Sequence, residues 1–166
     1  MYQVFLGIGG NTGNKRMNFE KVHFWVEEEL GKILCESSVY ETAPWGFSAD
    51  ENFWNQVLLI ETELRPEELL VKINRIEKAF GRKREPGKYT SREMDIDILY
   101  CENLTVETEK LVIPHPHLSQ RMFVLAPLAE IAPEFRHPVL KKTNRQLLEA
   151  CTDESEIKKV ELKTES

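Results

Sequence analysis

Over residues 2–98 the apolar residues change period in a fixed order, and that order restricts the fold more than any other feature. Val4, Leu6 and Ile8 alternate over residues 2–8, the two-residue period of a strand with one buried face. The chain then breaks at Gly9-Gly10-Asn11-Thr12-Gly13-Asn14, a polar turn-rich loop. Asn14 is placed to cap a helix in which Met17, Val22, Trp25, Val26 and Leu30 recur at helical spacing, and Gly31 to stop it. Residues 33–41 and 53–63, rich in β-branched and aromatic side chains, read as two strands separated by a loop containing Pro44 and Gly46. Pro66 opens a second helix with Glu67 and Glu68 at its positive end. Leu69, Leu70, Ile73, Ile76 and Phe80 form its stripe, and Gly81 ends it. Met94, Ile96 and Ile98 then alternate with Asp95 and Asp97 in a fourth strand. The order βαββαβ predicts an α+β fold of the ferredoxin-like type, with two helices over one face of a mostly antiparallel sheet.

The remainder extends this unit. A hairpin around Glu102-Asn103 is expected to lead to a strand at Leu111–Ile113, Phe123–Ile131 and Gln146–Glu149 read as helical, and a charged tail frays from about Asp153. Residues 1–166 read as a single domain. A net charge of -6 argues against a surface that coats nucleic acid or an anionic membrane. Cys35, Cys101 and Cys151 are odd in number and unpaired in spacing, which suits a reducing compartment. With no signal-peptide pattern at residues 1–7 and no run near the ~20 apolar residues of a membrane span, the expectation is a cytoplasmic protein.

Two features carry chemistry. Asp95 and Asp97, two apart on a strand, project from one face and can share a hard cation such as Mg²⁺, which takes further ligands from waters and substrate phosphates. A solvated outer face is the alternative reading. Directly before them, residues 82–92 hold Arg82, Lys83, Arg84, Lys88 and Arg92 against the single acid Glu85. A phosphate chain reconciles the two sets, with metal on the carboxylates and arginine on the non-bridging oxygens; a solvated loop is the alternative. His115-Pro116-His117 invites a zinc reading, but no third ligand is close in sequence. The glycine-rich loop after the first strand lacks the Gly-Lys-Ser/Thr ending of a P-loop.

Residues 92–99, Arg-Glu-Met-Asp-Ile-Asp-Ile-Leu, resemble the R-x-x-D-[ILV]-D-[ILV] signature of the 6-hydroxymethyl-7,8-dihydropterin pyrophosphokinases. Gly9-Gly10-Asn11, the loop Tyr40–Gly46, Phe53-Trp54-Asn55, Pro114-His115 and Arg121–Leu128 resemble further segments of that family in the same order, so the resemblance covers about residues 4–135. It implies transfer of the β,γ-diphosphate of ATP to the pterin hydroxymethyl group, with release of AMP, in folate biosynthesis. It also implies two Mg²⁺ shared by Asp95 and Asp97, with Arg82 and Arg92 stabilising phosphate charge in the transition state. Thr42, Pro44, Trp45 and Asn55 would line the pterin edge, and Phe53 and Phe123 would sandwich the ring. Asn74, Glu77, Arg84, Tyr89, Arg92, Ile98, Lys110, His115 and Arg121 would approach ATP. The chain departs from the family pattern at Gly10, Phe53, Tyr89, Ser91, Lys110 and Val112. The substrates implied are two small molecules, without nucleic acid or membrane, acted on by a monomer or weak homodimer. Two other readings stay open: a nucleotidyl transferase or cyclase, which also uses paired strand aspartates, and a non-catalytic nucleotide-sensing module.

Overall fold

The computed structural model describes residues 1–42, 52–80 and 94–160. Its elements are β1 (Tyr2–Gly10), α1 (Lys15–Trp25) continued by a π-helical turn at Val26–Leu30, β2 (Lys32–Glu36), β3 (Val39–Thr42) and β4 (Phe53–Thr62). There follow α2 (Pro66–Ala79), β5 (Asp95–Cys101), β6 (Val106–Glu107), β7 (Val112–Ile113), α3 (Met122–Ile131), α4 (Asn144–Ala150) and β8 (Ile157–Val160). One sheet runs in the order β5-β1-β4-β3-β8, with β2 also paired to β4, and each of its pairings is antiparallel.

Several expected boundaries shift for identifiable reasons. β1 extends through Gly9 and Gly10, expected in the loop, because β4 is long enough to pair them with Asn55 and Trp54. The single strand expected over 33–41 divides at Ser37-Ser38. There Ser37 Oγ accepts the Val57 backbone N–H at 2.9 Å, a bond a continuous ladder would draw from backbone. Asn14 does cap α1, accepting from Met17 N–H at 3.0 Å. Its buried stripe, however, is Phe19, Val22, Val26 and Leu30, while Met17 and Trp25 stand 47% and 38% exposed. Steps of four residues drift about 40° each around an α-helix, and the wider turn at Val26–Leu30 takes up that drift. Gly31 follows because a Cβ there would strike the Glu61 carbonyl as the chain enters β2.

Beyond β5 the chain turns at Glu102, whose φ of 50° is left-handed, but β7 pairs with β6 rather than closing a hairpin at that turn. Residues 157–160, expected in a frayed tail, form β8 and pair with all of β3, since Ile157 and Val160 supply apolar positions on an edge that β3 leaves open.

Alternation on β1 sorts the core into two layers. Val4, Leu6 and Ile8 pack with Val22, Leu69, Ile73 and Ile96 under α1 and α2. Phe5, on the opposite face, packs with Val57, Leu99, Tyr100, Leu125 and Leu128 under α3 and α4. The result is a mixed helix and antiparallel-sheet protein with helices on both faces. No helix among the described residues is long and apolar enough to cross a membrane.

Candidate active site

The face of β1 that buries Phe5 continues with Gly7 and Gly9, so side chains that would fill the sheet surface there are missing. Across β4, β1 and β5, Asn55, Gly9 and Asp95 stand in one row and Val57, Gly7 and Asp97 in the next. The glycines leave a hollow with an amide on one side and two carboxylates on the other. At Gly9 the hollow is obligatory: a Cβ would collide with Asn55 Oδ1 and come 3.1 Å from the Trp54 carbonyl. At Gly7 a Cβ would only touch Leu99 at 3.4 Å.

A cleft opens over this hollow, walled by Thr42 of β3, Phe53 and Asn55 of β4, Phe123 at the start of α3, and Arg121. Phe53, at 9% exposure, has its side chain almost wholly withdrawn from solvent. This cleft combines apolar walls with the Asn55 amide and Thr42 hydroxyl, and its far side is the charged ridge of Asp95, Asp97 and Arg121, a lining suited to a flat heterocycle. A second cleft lies along the outer edge of β5, between Asn74 and Glu77 of α2 and the segment holding Lys110, Val112 and His115. Asp95, Asp97 and Arg121 line both clefts. The structure thus brings together Thr42, Phe53, Asn55 and Phe123 in one cleft and Asn74, Glu77, Ile98, Lys110, His115 and Arg121 in the other. Pro44, Trp45, Arg82, Arg84, Tyr89 and Arg92 lie outside the described residues.

The shared ridge is held from its outer side. β5 is an edge strand, and its Ile96 N–H, between the two aspartates, donates to the buried Glu77 carboxylate at 3.0 Å. His115 anchors to the same edge by donating its backbone N–H to the Leu99 carbonyl at 3.0 Å. Its Nε2 lies 4.0 Å from Asp97 Oδ2. Burial pushes the His115 pKa down to about 4, with Arg121 and His117 adding to the effect and Asp95 opposing it. The imidazole is therefore neutral at pH 7 and stands beside Asp97, beyond hydrogen-bond distance, as a polar neighbour rather than an ion-pair partner. The His115 and His117 rings lie 5.9 Å apart. Among the described residues no three His, Cys, Asp or Glu side chains gather as a metal cage.

α3 is fixed by contacts that the sequence does not announce. Glu130 near its end accepts from Tyr40 Oη at 2.7 Å, from Ser38 Oγ at 2.8 Å and from Ser38 N–H. Burial works against the charge on Glu130, but these bonds and Lys159 outweigh it and hold the carboxyl below its ordinary range. At the other end, Ser155 enters the lining of the first cleft. Sequence reading missed Ser155 because its segment is charged and sparse in apolar residues; the alternation of Gly7 and Gly9 within a strand was the available clue to the hollow.

Comparison with known proteins agrees with this geometry. Residues 5–133 match the family described as 7,8-dihydro-6-hydroxymethylpterin-pyrophosphokinase. A 2-amino-4-hydroxy-6-hydroxymethyldihydropteridine pyrophosphokinase of Aquifex aeolicus is 44% identical over 144 residues, covering 86% of this chain and 88% of the relative. One of the same description from Methylorubrum extorquens is 38% identical, covering 97% and 100%. Among solved structures, Plasmodium falciparum HPPK-DHPS superposes with a TM-score of 0.74 at 19% identity, covering 89% of this chain and 44% of that one. At that identity the likeness speaks for the fold, and this chain spans less than half of the solved chain. With Asp95 and Asp97 on one ridge, a family model matched over residues 5–133 and relatives matched over most of their length, the chain belongs to the 7,8-dihydro-6-hydroxymethylpterin-pyrophosphokinase family.

Proposed function

We propose that the chain transfers diphosphate from ATP to the hydroxymethyl group of 6-hydroxymethyl-7,8-dihydropterin, releasing AMP, a step of folate biosynthesis. The observation that carries this reading is the meeting of two clefts at Asp95, Asp97 and Arg121. A two-substrate transfer needs its acceptor and donor held next to one another with the reacting atoms aligned, and two clefts that meet at one charged ridge supply such a place. In the first cleft Asn55 offers both donor and acceptor to the pterin edge, and Phe53 and Phe123 offer aromatic surface to its ring. In the second, Asn74, Lys110 and neutral His115 receive the nucleotide, and Arg121 reaches the phosphates. Counting β2 and β3 as one interrupted strand, we read the sheet order as the ferredoxin-like βαββαβ arrangement.

The donor set fits Mg²⁺. Asp95 and Asp97 are adjacent carboxylates facing open clefts without a third acidic ligand among the described residues, which suits a cation completing its shell with water and substrate oxygens. Bound there, Mg²⁺ neutralises polyphosphate charge; two ions are proposed from the family pattern. Arg82 and Arg92 are proposed to bind the same phosphates, with Arg84 and Tyr89 on the nucleotide and Pro44 and Trp45 on the pterin. The test is a product assay with ATP, Mg²⁺ and the hydroxymethyl pterin, read by phosphorus NMR. AMP formed only when the pterin is present supports the reading. Release of pyrophosphate, or ATP binding without turnover, overturns it.

A further inference from the structure

The segment between α4 and β8 lies beyond residues 5–133 that match the family model, yet it crosses the first cleft. α3 starts at Met122 without a side-chain cap from its own N-terminal residue, Arg121. The missing acceptor comes from far along the chain: Asp153 Oδ2 accepts the Met122 N–H at 2.9 Å. Its other oxygen accepts from Ser155 N–H at 2.9 Å and Ser155 Oγ at 2.6 Å, and Ser155 lines the cleft. Two residues on, Ile157 pairs with Thr42, a residue of the opposite wall.

We propose that residues 153–157 form a strap that sets the width of the pterin cleft, with Asp153 as a positioning residue for Phe123. The inference rests on the functional reading above. Met122 stands between Arg121 and Phe123, so holding its N–H fixes the backbone from which both reach the cleft. The far end of the strap is fixed to β3 by the Ile157–Val160 ladder, which joins the α3 wall to the β3 wall. A carboxylate is suited to this place because it accepts from three donors at once and complements the positive end of α3. Burial opposes its ionisation, but the bonds from Ser155 and Met122 prevail and keep its pKa below the ordinary value.

The experiment compares full-length Asp153→Ala and Asp153→Asn with the parent chain by pterin titration in the presence of a non-hydrolysable ATP analogue, by separate nucleotide titration, and by hydrogen exchange over residues 122–125. Loss of the charged hydrogen bond is expected to weaken pterin binding roughly tenfold and nucleotide binding, in which Arg121 is one group among several, by less than about threefold. Exchange should accelerate at the start of α3. Asn, which keeps an acceptor for Met122 but lacks the charge and the acceptor for Ser155 N–H, should recover part of the pterin affinity. Unchanged pterin affinity in Asp153→Ala overturns the proposal, as does a proportional loss for both ligands, which marks general destabilisation. If the parent chain itself fails to bind pterin, the functional reading falls and this role with it; exchange, which needs no ligand, then shows whether the clamp exists at all.

Discussion

Replacing Gly9 with alanine tests whether the hollow on β1 serves the pterin amide contact. The added methyl would fall on Asn55 Oδ1 and lie 3.1 Å from the Trp54 carbonyl, so the Asn55 side chain must swing aside while the strand gives by a few tenths of an ångström. In the proposed pterin site Asn55 would offer the heterocycle about two neutral hydrogen bonds, each contributing roughly 0.5–1.5 kcal/mol net. Losing both weakens binding by about 1–3 kcal/mol, or roughly 5- to 150-fold in Kd. The assay is equilibrium titration of 6-hydroxymethyl-7,8-dihydropterin with a non-hydrolysable ATP analogue present. Gly7→Ala is the comparison, since its methyl also enters the hollow but meets Leu99 at an ordinary 3.4 Å and leaves Asn55 alone. If the methyl acts through Asn55, adding Gly9→Ala to Asn55→Ala costs little more than Asn55→Ala alone. Pterin affinity in Gly9→Ala equal to that in Gly7→Ala, or full additivity with Asn55→Ala, would refute the reasoning.

Asp95→Ala and Asp97→Ala are expected to lower kcat by roughly three orders of magnitude or more, about 4 kcal/mol of barrier. Their melting temperatures should stay near the parent's, as the Asp97 side chain is 41% exposed; turnover within tenfold of the parent would remove the metal assignment. Glu130→Gln should cost about 1–3 kcal/mol at pH 7. Because the folded-state pKa of Glu130 lies below 4.5, its stabilisation is complete above that pH and fades as the pH falls through the lower folded value. Urea midpoints should thus decline less steeply between pH 5 and 3 in Glu130→Gln than in the parent, and parallel declines would contradict the assignment.

What the sequence made legible followed from local rules. The alternations at Val4–Ile8 and Met94–Ile98, the Asn14 cap and the Pro66 start each depend on neighbours a few residues away, and each appears where expected. The Asp95 and Asp97 pair was visible for the same reason. The site's walls were less so, because they depend on pairings across the chain. The break at Ser37-Ser38 depends on Val57 and Glu130, and β8 forms because β3 offers an open edge to a segment with few apolar residues. Helical spacing placed Met17 and Trp25 on the buried face of α1, whereas a π-helical turn keeps Val26 and Leu30 on the stripe of Phe19 and Val22. A resemblance of motifs named Thr42, Phe53, Asn55 and Phe123 as neighbours, but periodicity alone would have left the two phenylalanines in the core.

Asp95, Asp97 and Arg121 belong to both clefts, and this sharing has a thermodynamic consequence. Whatever nucleotide does to the charge and hydration of those three side chains is felt by a pterin next to them. By linkage, the factor by which one ligand alters the other's affinity must be returned in equal measure. Each substrate is therefore an effector of its partner. A cycle of four binding constants, pterin with and without nucleotide and the reverse, measures that coupling as one number belonging to the ridge.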